Sequence, residues 1–122
     1  MVTMQMDISP YILRSKQREI SRKSGLKGRH DKAWELARTA AELLRTAYGA
    51  KRVAVFGSVA QVELFHPGSD VDLVVWGLQP GEYFRVVGQL QGLDPEIPID
   101  LVMFEEVPES LKRVILEEGV DL

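Results

Sequence analysis

Hydrophobic positions follow two periods along this chain, and the switches between them predict its elements. From Arg29 to Tyr48 they recur at helical spacing, with Trp34, Ala37, Ala41, Leu44 and Tyr48 on one stripe and Ala33, Leu36, Ala40, Leu43 and Ala47 widening it. Gly49 follows as a left-handed cap would. Short apolar runs of strand length come next, at Lys51 to Phe56, Asp70 to Trp76 and Pro98 to Phe104. Helical spacing returns after Gln79-Pro80-Gly81-Glu82, with Tyr83, Val86, Val87 and Leu90 inward and a stop near Gly92. Pro108 opens a last helix at its first turn, with Leu111, Val114 and Ile115 inward, before Gly119 and a tail from Val120 to Leu122. At the other end, Ser9-Pro10 predicts a helix running to about Lys23, Met1 to Asp7 carry no pattern, and Ser24-Gly25-Leu26-Lys27-Gly28 predicts a break. The order strand, strand, helix, strand, helix around a small mixed β-sheet flanked by helices is α+β (α/β) in class.

Acids interrupt this pattern in a way that points to chemistry. Side chains alternate across a strand, so Asp70 and Asp72 share a face about 6.6 Å apart along the chain while Val71 and Leu73 point the other way. Two carboxylates on one face repel unless a cation lies between them. Asp100 interrupts the otherwise apolar run Pro98-Ile99-Asp100-Leu101-Val102-Met103-Phe104, where a buried unpaired carboxylate would be costly. If that strand pairs beside the Asp70 strand, the carboxylates of Asp70, Asp72 and Asp100 converge. Such a set suits magnesium, a hard ion that takes oxygen ligands and leaves positions for phosphate oxygens. Gly57-Ser58, directly after the first strand, adds a place where backbone and hydroxyl can approach a phosphate closely. Each of these signals is weak alone; their combination in this order is specific.

The Gly-Ser pair, the spacer, Asp-x-Asp and a single Asp on a later strand resemble the nucleotidyltransferase superfamily that includes DNA polymerase beta. The chain is most similar to the minimal nucleotidyltransferases, the MNT antitoxins paired with HEPN-domain ribonuclease toxins. The resemblance covers roughly residues 33 to 122. It implies a polymerase-beta-like fold with a basic helical extension at 1–30 and a minimal nucleotidyltransferase domain at 31–122. It also implies Asp70, Asp72 and Asp100 as catalytic metal ligands for a pair of magnesium ions, and Gly57 and Ser58 as nucleotide anchors. The activity it implies is transfer of AMP from ATP to a tyrosine hydroxyl of a HEPN toxin, with release of pyrophosphate, which silences the toxin. Two departures fall on the phosphate side: Val59 to Ser69 makes an eleven-residue spacer where the family commonly has ten, and Gln61 and Val62 replace a basic residue and a glycine. An antitoxin that acts by capping its toxin, or an aminoglycoside-type enzyme acting on a small molecule, are the alternatives.

Composition narrows the field further. The chain has 122 residues, one ordinary domain, and no cysteine, so disulfides and thiolate metal sites are excluded and a cytoplasmic setting is expected. No apolar run is of membrane-spanning length. The net charge of −3 divides into +5 over residues 1–34 and −8 over 35–122, so the domain itself is not expected to bind nucleic acid. The basic lead reads as a solvated helix face. His30 and His66 lack ligand-spaced partners and are expected to be a solvated helix residue and a loop residue. Trp34 and Trp76 read as packing residues, Tyr83 and Phe84 as helix anchors, and no serine or cysteine nucleophile set occurs.

Overall fold

The computed structural model describes residues 2–122, with side chains from Gly25 onward. A long helix, α1 (Val2–Tyr48), leads into β1 (Arg52–Phe56), β2 (Val71–Trp76), α2 (Tyr83–Gln91), β3 (Ile99–Met103), α3 (Glu109–Glu118) and β4 (Val120–Asp121). Single 3-10 turns at Val62–Leu64, Pro80–Glu82 and Phe104–Glu106 lie between them. The strand order is β3-β2-β1-β4, with β1 antiparallel to β2 and β4, and β2 parallel to β3. The mixed sheet flanked by helices is the architecture expected. No helix among the described residues is long and apolar enough to cross a membrane.

Alternation divides the sheet into two faces. Val53, Val55, Val71, Leu73, Val75, Ile99, Leu101 and Met103 point to one side, where Ala33, Leu36, Ala37, Ala40, Ala41 and Leu44 of α1 and Val86 and Leu90 of α2 close the main core. The alanines matter because they let the helix backbone lie close to the sheet. Ala54 and Val74 point to the other side and pack with Ile115, Phe56, Trp76, Val102, Phe104 and Leu111 in a smaller cluster beneath α3. Gly49 adopts φ +67° after α1, and Ala50 N–H turns back to the Leu44 carbonyl at 3.1 Å.

Several expectations are corrected. The helix passes through Gly25 and Gly28 without a break and begins well before Ser9-Pro10. A glycine costs a helix only about 1 kcal/mol relative to alanine. The helical path also puts Leu26 on the stripe that continues through Ala33 and Ala37 into the core. The tail is no loose end: β4 pairs with β1, and Leu122 N–H donates to the Val53 carbonyl at 3.0 Å. Pro108 stands at the N-cap of α3 rather than within its first turn. Val114 is 40% exposed, leaving Ile115 as the buried residue of that helix. Phe84 anchors nothing, being 87% exposed.

Candidate active site

Strand pairing brings the predicted acids together. In the parallel β2–β3 register Asp72 lies directly beside Asp100, and across the antiparallel pair it faces Phe56, the last residue of β1. Neighbouring strands are about 4.8 Å apart and direct partners share a face, so Asp72 and Asp100 project to the α3 side together. Asp70, immediately ahead of β2, follows the same parity. The apolar cluster beneath α3 reaches Phe56 and does not extend over the acids, which stand at the uncovered end of that face. Val71 N–H donates to the Pro98 carbonyl at 3.0 Å, and this fixes the entry of β3 beside Asp70.

Burial differs along the set. Asp70 and Asp72 are half-buried, whereas Asp100 is exposed, contrary to the expectation of a buried carboxylate inside an apolar strand. The reason is topological, since β3 is an edge strand and its Asp100 has no neighbour on the outer side. The Asp72 carboxyl is pushed up to about 6, first by desolvation, then by the negative charges of Asp100 and Asp70. Among the described residues no three acids, histidines or cysteines are drawn together closely enough to hold a metal ion as they stand. The carboxylates are close enough to repel yet remain open. Their donor set, all oxygen, suits magnesium, and a divalent cation among them would offset both the desolvation and the added repulsion that raise Asp72.

Gly57 and Ser58 follow β1 at the same end. Gly57 has φ +72°, and a Cβ built there would lie 2.6 Å from Oδ2 of Asp72, so the conformation and the close approach each require glycine. The chain then runs through a turn closed by Gln61 N–H to the Gly57 carbonyl at 3.0 Å, and no regular helix begins at Ser58. Further along, His66 N–H donates to Oγ of the buried Ser69, Ser69 N–H returns to the His66 carbonyl, and Gly68 N–H reaches Nδ1 of His66. His66 is thus the loop residue expected. Trp76 stacks on Phe104 at 4.8 Å and lies at the opposite end of β2 from Asp72.

Two functional or structural roles escaped the sequence reading. His30 is not solvated: it is half-buried and its Nε2–H donates to the Val59 carbonyl at 2.9 Å. Its position one turn from both Leu26 and Ala33, on the core stripe, was the available signal. Asp94 accepts from the amides of Glu96 and Ile97 at 2.7 and 3.0 Å and sits 3.4 Å from Nζ of Lys32. The Glu96 amide, together with Ile97 and Lys32, holds its carboxyl below the usual range.

With this geometry in place, comparison with known proteins is informative. Residues 39–122 match the family described as Polymerase beta, Nucleotidyltransferase. Among curated proteins none matches the sequence. A solved structure of a toxin–antitoxin with AMP-PNP is 21% identical with a TM-score of 0.59, covering 70% of each chain. A complex of tri-AMPylated Shewanella oneidensis HEPN toxin with MNT antitoxin is 17% identical with a TM-score of 0.56, covering 73% of this chain and 70% of that one. A candidate minimal nucleotidyltransferase is 29% identical with a TM-score of 0.50, covering 81% of this chain and 94% of that one.

Proposed function

Since the chain belongs to the polymerase beta nucleotidyltransferase family, we propose that it is a magnesium-dependent protein adenylyltransferase, an antitoxin that transfers AMP from ATP to a tyrosine of a HEPN ribonuclease toxin in the cytoplasm. The observation that carries this reading is the placement of Asp72 directly beside Asp100 with its carboxylate against Gly57. Likeness of fold to a toxin–antitoxin with AMP-PNP and to a complex holding a tri-AMPylated HEPN toxin supports the choice of nucleotide and partner.

Asp70 and Asp72 would hold the magnesium that accompanies the triphosphate, and Asp100 would complete a second metal position. When bound, the metal supplies charge neutralisation at the phosphates and a more acidic acceptor hydroxyl. In the reaction the tyrosine oxygen bonds to the α-phosphorus, the bond from that phosphorus to the bridging oxygen breaks, and pyrophosphate leaves with its electrons. Asp100, exposed at the sheet edge, would help take the phenolic proton. Gly57 and Ser58 hold the β- and γ-phosphates, the Ser58 hydroxyl making no hydrogen bond among the described residues. Positioning and charge neutralisation account for most catalysis of this type. In this reading residues 31–122 form the transferase domain and 1–30 a basic helical extension.

The test is intact-mass spectrometry of the chain mixed with its HEPN partner and Mg-ATP. A gain of about 329 Da per AMP on the partner, lost in Asp72→Asn and in chelator, supports the transferase. The eleven-residue spacer favours one other reading, a capping antitoxin. Undiminished neutralisation by Asp72→Asn with no mass gain would establish that reading instead.

A further inference from the structure

The turn after β1 leaves a run of amides unused. Ser58, Val59 and Ala60 N–H donate to no protein acceptor among the described residues, while Gln61 N–H closes the turn onto the Gly57 carbonyl. Which way these donors face depends on how the peptide planes are held; the Val59 side chain packs into the main core, and among the described residues the one side chain that hydrogen-bonds a carbonyl of the turn is His30, whose Nε2–H meets the Val59 carbonyl at 2.9 Å. In a planar trans peptide the carbonyl and the following N–H point in opposite directions. The Val59 carbonyl, drawn toward α1, therefore directs Ala60 N–H away from α1. Helix α1 packs on the Val55 and Leu73 side of the sheet, and Asp72 stands on the other side. Two aromatic rings brace the imidazole in this pose. Its ring meets Phe65 edge-on at 4.8 Å and Trp34 edge-on at 6.4 Å, and Phe65 itself is buried.

We infer that His30 is a positioning residue for the phosphate-holding turn, fixing through the Val59 carbonyl the direction of the Ala60 amide, one of the donors available to the β- and γ-phosphates of a nucleoside triphosphate. The inference rests on the reading above that Gly57 and Ser58 hold those phosphates. It assigns to a helix outside the acid cluster a share in triphosphate affinity, and it distinguishes nucleotides by their phosphate tail. A nucleoside monophosphate would not feel the loss of His30.

Calorimetric titration of the full chain with ATP and with AMP, each with magnesium, tests this in the unaltered protein and in His30→Ala, His30→Phe and His30→Gln. His30→Phe keeps an aromatic ring against Phe65 but has no donor, while His30→Gln restores an N–H at similar reach. Loss of one hydrogen bond that orients a charge-facing amide predicts ATP binding weaker by roughly tenfold in His30→Ala and His30→Phe. AMP binding stays within about twofold and His30→Gln recovers most of the ATP affinity. The ratio of ATP to AMP affinity within one sample does not depend on the fraction folded, so it separates positioning from a merely structural role. An unchanged ratio in His30→Phe, or equal weakening of both nucleotides, overturns the inference. Absence of ATP binding by the unaltered chain overturns the transferase reading, and this inference falls with it.

Discussion

The two faces of the sheet use the same strands to opposite ends. On the face covered by α1 and α2, every inward strand residue from Val53 to Met103 is apolar and buried, and Leu73 is wholly enclosed. On the α3 face the apolar cluster reaches Phe56, and the neighbouring positions carry Asp72 and Asp100. A one-residue shift in parity thus separates a surface that supplies stability from one that gives some of it up. Asp72, half desolvated and facing two like charges, is less comfortable folded than unfolded. Asp94 shows the contrast within a single residue type, because its carboxyl is met by backbone amides and a lysine and is stabilised. The same chemical group is a brace in one setting and a loaded site in the other.

The sharpest way to break this comparison is Asp72→Asn. Transfer of AMP should fall by roughly a thousandfold or more, since charge placed at the reacting phosphates carries most of the rate. The same change should stabilise the fold by about 1 kcal/mol at neutral pH, after allowing for solvent screening of a half-exposed group. Chemical denaturation beside a labelled-AMP transfer assay reads both, and a variant that is both inactive and less stable would remove the distinction between the faces. One residue further along, Leu73→Ala should do the reverse. Emptying that enclosed position costs about 3 kcal/mol of stability, while the folded fraction keeps its transfer rate within about twofold.

Gly57→Ala lies where the two faces meet, and its effect should be intermediate. The left-handed conformation and the 2.6 Å approach to Asp72 together predict a loss of about 2 kcal/mol. ATP affinity should fall with it. Asp72→Ala in the same chain removes the clash and leaves only the backbone strain, so unfolding of the double variant should show part of the stability recovered.

How much of this was legible in the sequence depends on how local the cause is. Asp70 and Asp72 were legible because period-two alternation is local to a strand, and Gly57-Ser58 because a glycine after a strand marks a turn. The exposure of Asp100 was not, since it depends on β3 being at an edge, which only the sheet order decides. Strand β4 is two residues long, too short to show any period, and it exists because β1 offers it partners. The uninterrupted helix α1 reflects Leu26 finding the core across two glycines, a tertiary gain that outweighs a local preference. Phe84 sits next to Tyr83, whose hydroxyl bonds the Leu101 carbonyl at 2.7 Å, yet one step around the helix turns it to solvent.

The smallest effect is the most discriminating, because it asks whether Asp72 is loaded for a cation. Its carboxyl titrates near 3.8 when unfolded and about 6 when folded, so the folded state binds the proton more tightly. Stability from this group is therefore greatest below about pH 4 and is lost as pH rises through about 6. Asp94 runs the other way: its contribution is present above the ordinary carboxylate range and is lost only as pH falls through its lowered value. Between pH 5 and pH 7 the Asp72 effect stands alone of the two. Without magnesium, the unaltered chain should lose about 1 kcal/mol relative to Asp72→Asn across that interval, read as a thermal midpoint shift of a few degrees. With magnesium present the loss should disappear, since a bound cation favours the carboxylate and draws its pKa down. A pH dependence identical with and without the metal would mean that the repulsion on this face serves no ion.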